Sequence, residues 1–153
     1  MRRVLKTAGE FASGIGVHYA DSAIVNSKHQ CHAQNLVIGE RVPPQMVVCP
    51  ASGGPHELQD LLPSDTRFKV LVFAGDTTSA EQLSRVNVLA DALLGEDGIL
   101  SHYAPRDLGL ASIFDVLTLS SAPLKHIIVS DLPKFLRSHW SKYAMFCHPI
   151  VTI

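Results

Sequence analysis

Residues 67–95 (RFKVLVFAGDTTSAEQLSRVNVLADALLG) constrain this chain more than any other stretch. Phe68, Val70, Leu71, Val72 and Phe73 form a short run rich in Val and Phe that stops at Gly75-Asp76. Such a run reads as a strand buried on both faces. Thr78-Ser79-Ala80-Glu81 then has the spacing of a capping box. Leu83, Val86, Leu89, Ala90, Leu93 and Leu94 fall on one face of the helix that follows, and Gly95 stands where a C-terminal cap belongs. The rest of the chain is expected to pack around this strand-turn-helix unit.

Downstream, residues 111–119 (ASIFDVLTL) read as a second buried strand, ended by Ser120-Ser121-Ala122-Pro123. Parallel to the first strand, it completes a β-α-β crossover of ordinary length. Asp131 as N-cap with Pro133 just inside predicts a helix over residues 132–140 carrying Phe135, Leu136 and Trp140. Residues 149–153 form a candidate last strand, and residues 99–107 are mixed. Upstream, residues 4–12 fit a short helix with Leu5, Ala8 and Phe11 on one side, and residues 28–34 a polar loop. Residues 46–49 fit a short strand ended by Pro50, and residues 56–62 a brief helix stopped by Pro63. The expectation is one α/β domain over residues 1–153. Within it, residues 1–65 are an irregular N-terminal extension and residues 66–153 the core.

Bulk properties narrow the function. Of 153 residues, 46% are apolar and 18% charged, the balance of a soluble globular protein. A net charge of -1, with no run of Lys and Arg, argues against nucleic acid as a partner. No apolar run reaches the length of a membrane span, and no apolar segment follows Arg2, Arg3 and Lys6 as a secretory signal would. Cys31, Cys49 and Cys147 are odd in number and scattered, which fits a reducing cytoplasm rather than a disulfide framework.

The residues able to carry chemistry are few. Gly14-Ile15-Gly16-Val17-His18-Tyr19 approaches a dinucleotide fingerprint, but Tyr19 stands where the third glycine belongs, so a chain-reversing turn is the expectation. His29, Cys31 and His32 crowd together without a partner pair at ligand spacing, so an exposed loop is expected and no metal site. Asp76 lies at the carboxyl end of the central strand, where open α/β sheets hold ligands. It serves equally as a cap for the turn. His102, Tyr103, Arg106 and Asp107 would bring an imidazole, a phenol and a carboxylate together. Their simpler reading is a core-edge tyrosine beside a solvated ion pair. His18 and Tyr19 are candidates to face a ligand cleft. No Gly-x-Ser-x-Gly elbow occurs.

Four segments, in order, carry a resemblance: residues 11–19 (FASGIGVHY), 39–44 (GERVPP), 67–76 (RFKVLVFAGD) and 131–137 (DLPKFLR). Over roughly residues 10–142 the chain resembles the C-terminal, thioredoxin-like domain of the FAD-dependent phenol 2-monooxygenase (phenol hydroxylase) family. The resemblance implies a central mixed sheet flanked by helices. It also implies that FAD and hydroxylation belong to a large N-terminal part that these 153 residues do not include, so no cofactor is expected in this chain. A thioredoxin would carry Cys-x-x-Cys at the turn Gly75-Asp76-Thr77-Thr78, which has no cysteine, so dithiol chemistry is excluded by residue type. Family members usually continue past the Trp140 region through another strand and helix. The expectation is therefore a truncated C-terminal sheet edge, open to pairing with a second chain.

Two functions follow. The first is a non-redox accessory or dimerisation module, forming a homodimer or docking on a flavoprotein monooxygenase. The second is a stand-alone, cofactor-free protein acting by acid-base chemistry on an aromatic or polyketide-like small molecule, as an isomerase, cyclase or dehydratase. Its candidate catalytic residues are Asp76, His102, Tyr103 and Arg106, and its candidate ligand-binding residues His18 and Tyr19.

Overall fold

The computed structural model describes residues 16–50, 53–105, 107–137 and the backbone of 150–152, together with residues 9, 12 and 14. The chain divides into two compact units, Met1–Pro44 and Gln45–Ile153. The expected helix over residues 4–12 and the Trp140 end of the last helix lie outside the described residues.

Among the described residues the second unit is built on a five-stranded sheet. Its strands are β1 (Met46–Val48), β2 (Pro55–Glu57), β3 (Phe68–Gly75), β4 (Phe114–Ser120) and β5 (Ile150–Thr152), in the order β2-β1-β5-β4-β3. β3 and β5 both run parallel to β4, while β1 is antiparallel to β5 and to β2. The sheet is therefore mixed, as expected, and it is accompanied by α1 (Ala80–Leu94), α2 (Ile99–Tyr103) and α3 (Lys134–Arg137). This architecture is consistent with the α/β fold anticipated from the sequence.

The β3-α1-β4 crossover is the frame. Val70 pairs with Val116 and Val72 with Thr118, so side chains on one face of the two strands stand in register. On that face Val72, Ala74 and Val116 pack with Val86 and Ala90 of α1 and with Leu132 and Leu136. Val70, Leu83, Ile127 and Phe135 close around them. Each buried leucine contributes about 1.5–3 kcal/mol to this packing. Thr118 is buried with its hydroxyl donating to the Leu136 carbonyl at 3.0 Å, which satisfies the polar group and ties α3 to the sheet.

Several local expectations change. β3 is not buried on both faces: it lies at one end of the sheet, and Phe68 and Phe73 are 69% and 50% exposed. A Val- and Phe-rich run does not distinguish a central strand from an apolar edge. The second strand is buried from Asp115 to Ser120, but residues 110–112 make a 3₁₀ turn instead of joining it. The helix cap falls one residue later than the box suggests. Ser79 accepts from the Gln82 amide at 3.5 Å, and the helix ends at Gly95 as expected. The expected helix over residues 56–62 is β2 followed by a 3₁₀ turn, Leu58–Leu61. Pro55 lacks an amide hydrogen and is tolerated because β2 is the other end strand. The mixed segment after α1 contains α2, and the last strand forms as β5.

The first unit is held by short polar links. Most of the loop expected at residues 28–34 forms a 3₁₀ helix, Ser27–His32, in which Asn26 accepts from the Lys28 amide and Asp21 from the Ser27 amide. Gln30 then satisfies three backbone groups. Its amide donates to the Ala33 and Leu36 carbonyls at 2.8 and 2.6 Å, and its carbonyl accepts from Ile38 N–H at 2.8 Å. An irregular segment has few ladder bonds, so one side chain supplying three is what fixes its path.

Candidate functional site

The glycine turn and the Gly39-Glu40 segment, apart in sequence, meet in the first unit. His18 and Glu40 form an isolated antiparallel bridge, with Tyr19 N–H donating to the Gly39 carbonyl at 2.8 Å. His18 Nδ1 lies 3.5 Å from Glu40 Oε1. Gly39 adopts φ +90°, and a Cβ there would run into the Tyr19 carbonyl oxygen, so glycine is required twice over. Beside this bridge lies an open cavity of 630 Å³ lined by His18, Tyr19, Asp21, Ser27, Gln30 and Val37, among others. Asp21 accepts from the Ser27 hydroxyl and amide at 2.7 and 3.0 Å, which hold its carboxyl below the ordinary range. The two ligand candidates, His18 and Tyr19, thus line one cavity.

The glycines do not fit a dinucleotide. Gly14 and Gly16 lie in turns, and the chain continues into the His18 bridge and not into a helix whose N-terminus would receive a pyrophosphate.

The carboxyl ends of β3 and β4 are closed by the protein itself. The Gly75 carbonyl accepts from Ser121 N–H at 2.9 Å and from the Ser120 hydroxyl at 3.1 Å. Thr77 Oγ1 and Ser120 Oγ are 2.9 Å apart, and Gln82 donates to the Ala74 carbonyl at 2.9 Å. Asp76 is exposed and accepts from the Thr78 hydroxyl and amide at 2.6 and 3.0 Å. The Thr78 bonds lower its pKa first, with the charge of His126 a minor contributor. Both bonds fall on Oδ1, so one oxygen of this exposed carboxylate caps the turn.

His102 and Tyr103 end α2 with their rings 4.9 Å apart, edge to face, and Tyr103 is 62% exposed. Asp107 is exposed in the following turn, and Arg106 lies outside the described residues. His29 and His32 sit 6.0 Å apart between ring centres on the 3₁₀ helix, and no three His, Cys, Asp or Glu side chains among the described residues group as metal ligands. No helix among the described residues is long and apolar enough to cross a membrane.

The strongest polar cluster was not anticipated. Asp115, 2% exposed in its side chain, stands in register with Lys69 across β3 and β4. Lys69 Nζ is 2.7 Å from Asp115 Oδ2 and 2.7 Å from Asp65 Oδ1. Arg67 Nη2 lies 2.6 Å from Asp65 Oδ2 and 3.1 Å from Asp115 Oδ2. Arg67, then Lys69, hold the Asp65 carboxyl far below the ordinary carboxylate range. The signal was present: cations two apart, one just before β3 and one within it, and a lone aspartate inside the apolar run of the neighbouring strand.

A family model, the phenol hydroxylase C-terminal dimerisation domain, matches residues 17–151. The chain belongs to this family. The dimerisation-domain match begins just after the glycine turn, and covers the His18–Glu40 bridge and strands β1 to β4 with the start of β5. Over 144 residues the chain is 28% identical to the FAD-dependent monooxygenase terD of Aspergillus terreus, covering 93% of this chain and 24% of that protein. It is 36% identical over 120 residues to the FAD-dependent monooxygenase ankC of Aspergillus thermomutatus, covering 78% and 20%. It is 30% identical over 147 residues to the phenol 2-monooxygenase fsqG of Aspergillus fumigatus, covering 88% and 23%. This dimerisation domain therefore spans between a fifth and a quarter of the length of these relatives.

Proposed function

We propose that the chain is a non-redox, thioredoxin-like accessory module of the flavin monooxygenase type, whose task is self-association in the cytoplasm. The family match over residues 17–151 carries this reading. Two features support it: the cysteine-free turn at Gly75-Asp76-Thr77-Thr78, and the internal hydrogen bonds made by Asp76 Oδ1 and by Ser120. FAD binding and aromatic hydroxylation belong, in this reading, to the portion of the relatives that the match does not cover, and this chain binds no flavin. Sedimentation equilibrium of the 153-residue chain tests it. A dimer with no flavin absorbance is expected, whereas a monomer at every concentration overturns the self-association.

The cavity beside His18 and Tyr19 favours a second reading, in which the chain binds an aromatic small molecule. Its imidazole and phenol sides would hold a hydroxylated ring by stacking and hydrogen bonding. An NMR titration with phenols and quinones is expected to shift the Gly16, His18, Tyr19 and Gly39 amides saturably. Shifts absent from these four residues overturn it.

A further inference from the structure

We propose that the outer edge of β3 is the self-association surface, pairing antiparallel with β3 of a second copy; this deepens the dimerisation reading and rests on it. Among the described residues β4 is the sole partner of β3, so the other side of this eight-residue strand is a sheet edge with no strand paired to it there. Edges of this kind are ordinarily protected by proline or by outward charge. β3 contains no proline, and its irregularity is confined to the Phe73–Gly75 end. Its cation, Lys69, is neutralised inside the protein by Asp65 and Asp115, as is Arg67 just before the strand. Two such edges meet without charge repulsion.

The edge is also self-complementary. A two-fold axis through Leu71, perpendicular to the sheet, keeps each residue on its own face. It sets Val70 opposite the second copy's Val72 and Phe68 opposite Ala74. The half-exposed Phe73 ring then covers the aliphatic stem of the second copy's Lys69. Phe68 and Phe73, exposed on opposite faces, become the aromatic anchors of a continuous sheet.

The register makes the proposal testable in the full chain. Phe73→Lys places an ammonium opposite Lys69, and Phe68→Lys removes the other anchor. Each is expected to weaken the dimer by about tenfold or more, while Ile128→Lys, a change at an exposed apolar residue elsewhere, leaves it intact. Circular dichroism verifies that each variant folds. Leu71→Cys, on the axis, is expected to yield a disulfide joining residue 71 of both copies under mild oxidation, identified by peptide mass. A wild-type dimer that withstands both lysine variants and forms no 71–71 link overturns this surface but leaves the dimerisation reading. A wild-type monomer overturns both.

Discussion

Asp65 shows how one side chain can couple this protein's stability to pH. Its carboxylate receives Arg67 and Lys69 and is held far below the ordinary range, so the native state binds this proton less readily than the unfolded chain. Stability from the group is therefore complete above the ordinary aspartate pKa of about 3.9 and is lost as pH falls towards the depressed native value. Asp65→Asn is expected to lower the urea midpoint at pH 7, and the gap to wild type is expected to shrink below about pH 4. A gap unchanged from pH 7 to pH 2.5 would assign the loss to packing instead. Gly39 sets a different constraint at the same scale. With φ +90° and the Tyr19 carbonyl against its α-carbon, Gly39→Ala is expected to cost about 1 kcal/mol or more and to shift the His18 and Tyr19 resonances. The Asp65 constraint is local, since its partners lie two and four residues along the chain, whereas the φ of Gly39 is set by the Tyr19 segment that faces it.

At the level of elements, α3 is short yet anchored, because Leu132 and Leu136 are both buried and the Leu136 carbonyl receives Thr118. Leu136→Ala is expected to destabilise by about 2–5 kcal/mol in urea unfolding, as core leucine truncations do. Ser79→Ala is expected to cost about 0.5 kcal/mol, the low end for an N-cap, because its bond to Gln82 is 3.5 Å long. A measured loss above 2 kcal/mol would mean that Ser79 also closes the strand end. Elements with strong local signals were legible: α1 through the period of Val86 and Ala90, β4 through a mostly apolar run interrupted by Asp115 and Thr118, and Gly95 as a stop. Elements set by tertiary pairing were not. Pro55-His56-Glu57 forms a strand because β1 lies alongside it, against the weak helical reading of that segment.

For the whole molecule, a self-associating module makes apparent stability depend on concentration. The melting temperature is expected to rise with protein concentration from micromolar to hundreds of micromolar, since mass action favours the folded dimer. An invariant melting temperature would place folding and association on separate footings. The sequence by itself determined the β-α-β frame, a Gly75 turn without cysteine, and the family through four ordered segments, because these rest on residue type and short-range spacing. Only the tertiary structure decided that β3 is an end strand among the described residues, that Lys69 and Arg67 bring Asp115 to Asp65, and that His18 and Tyr19 line one cavity. The reason is physical: an apolar run specifies that a strand forms, but which side of it stays open depends on the neighbours the whole chain brings to it.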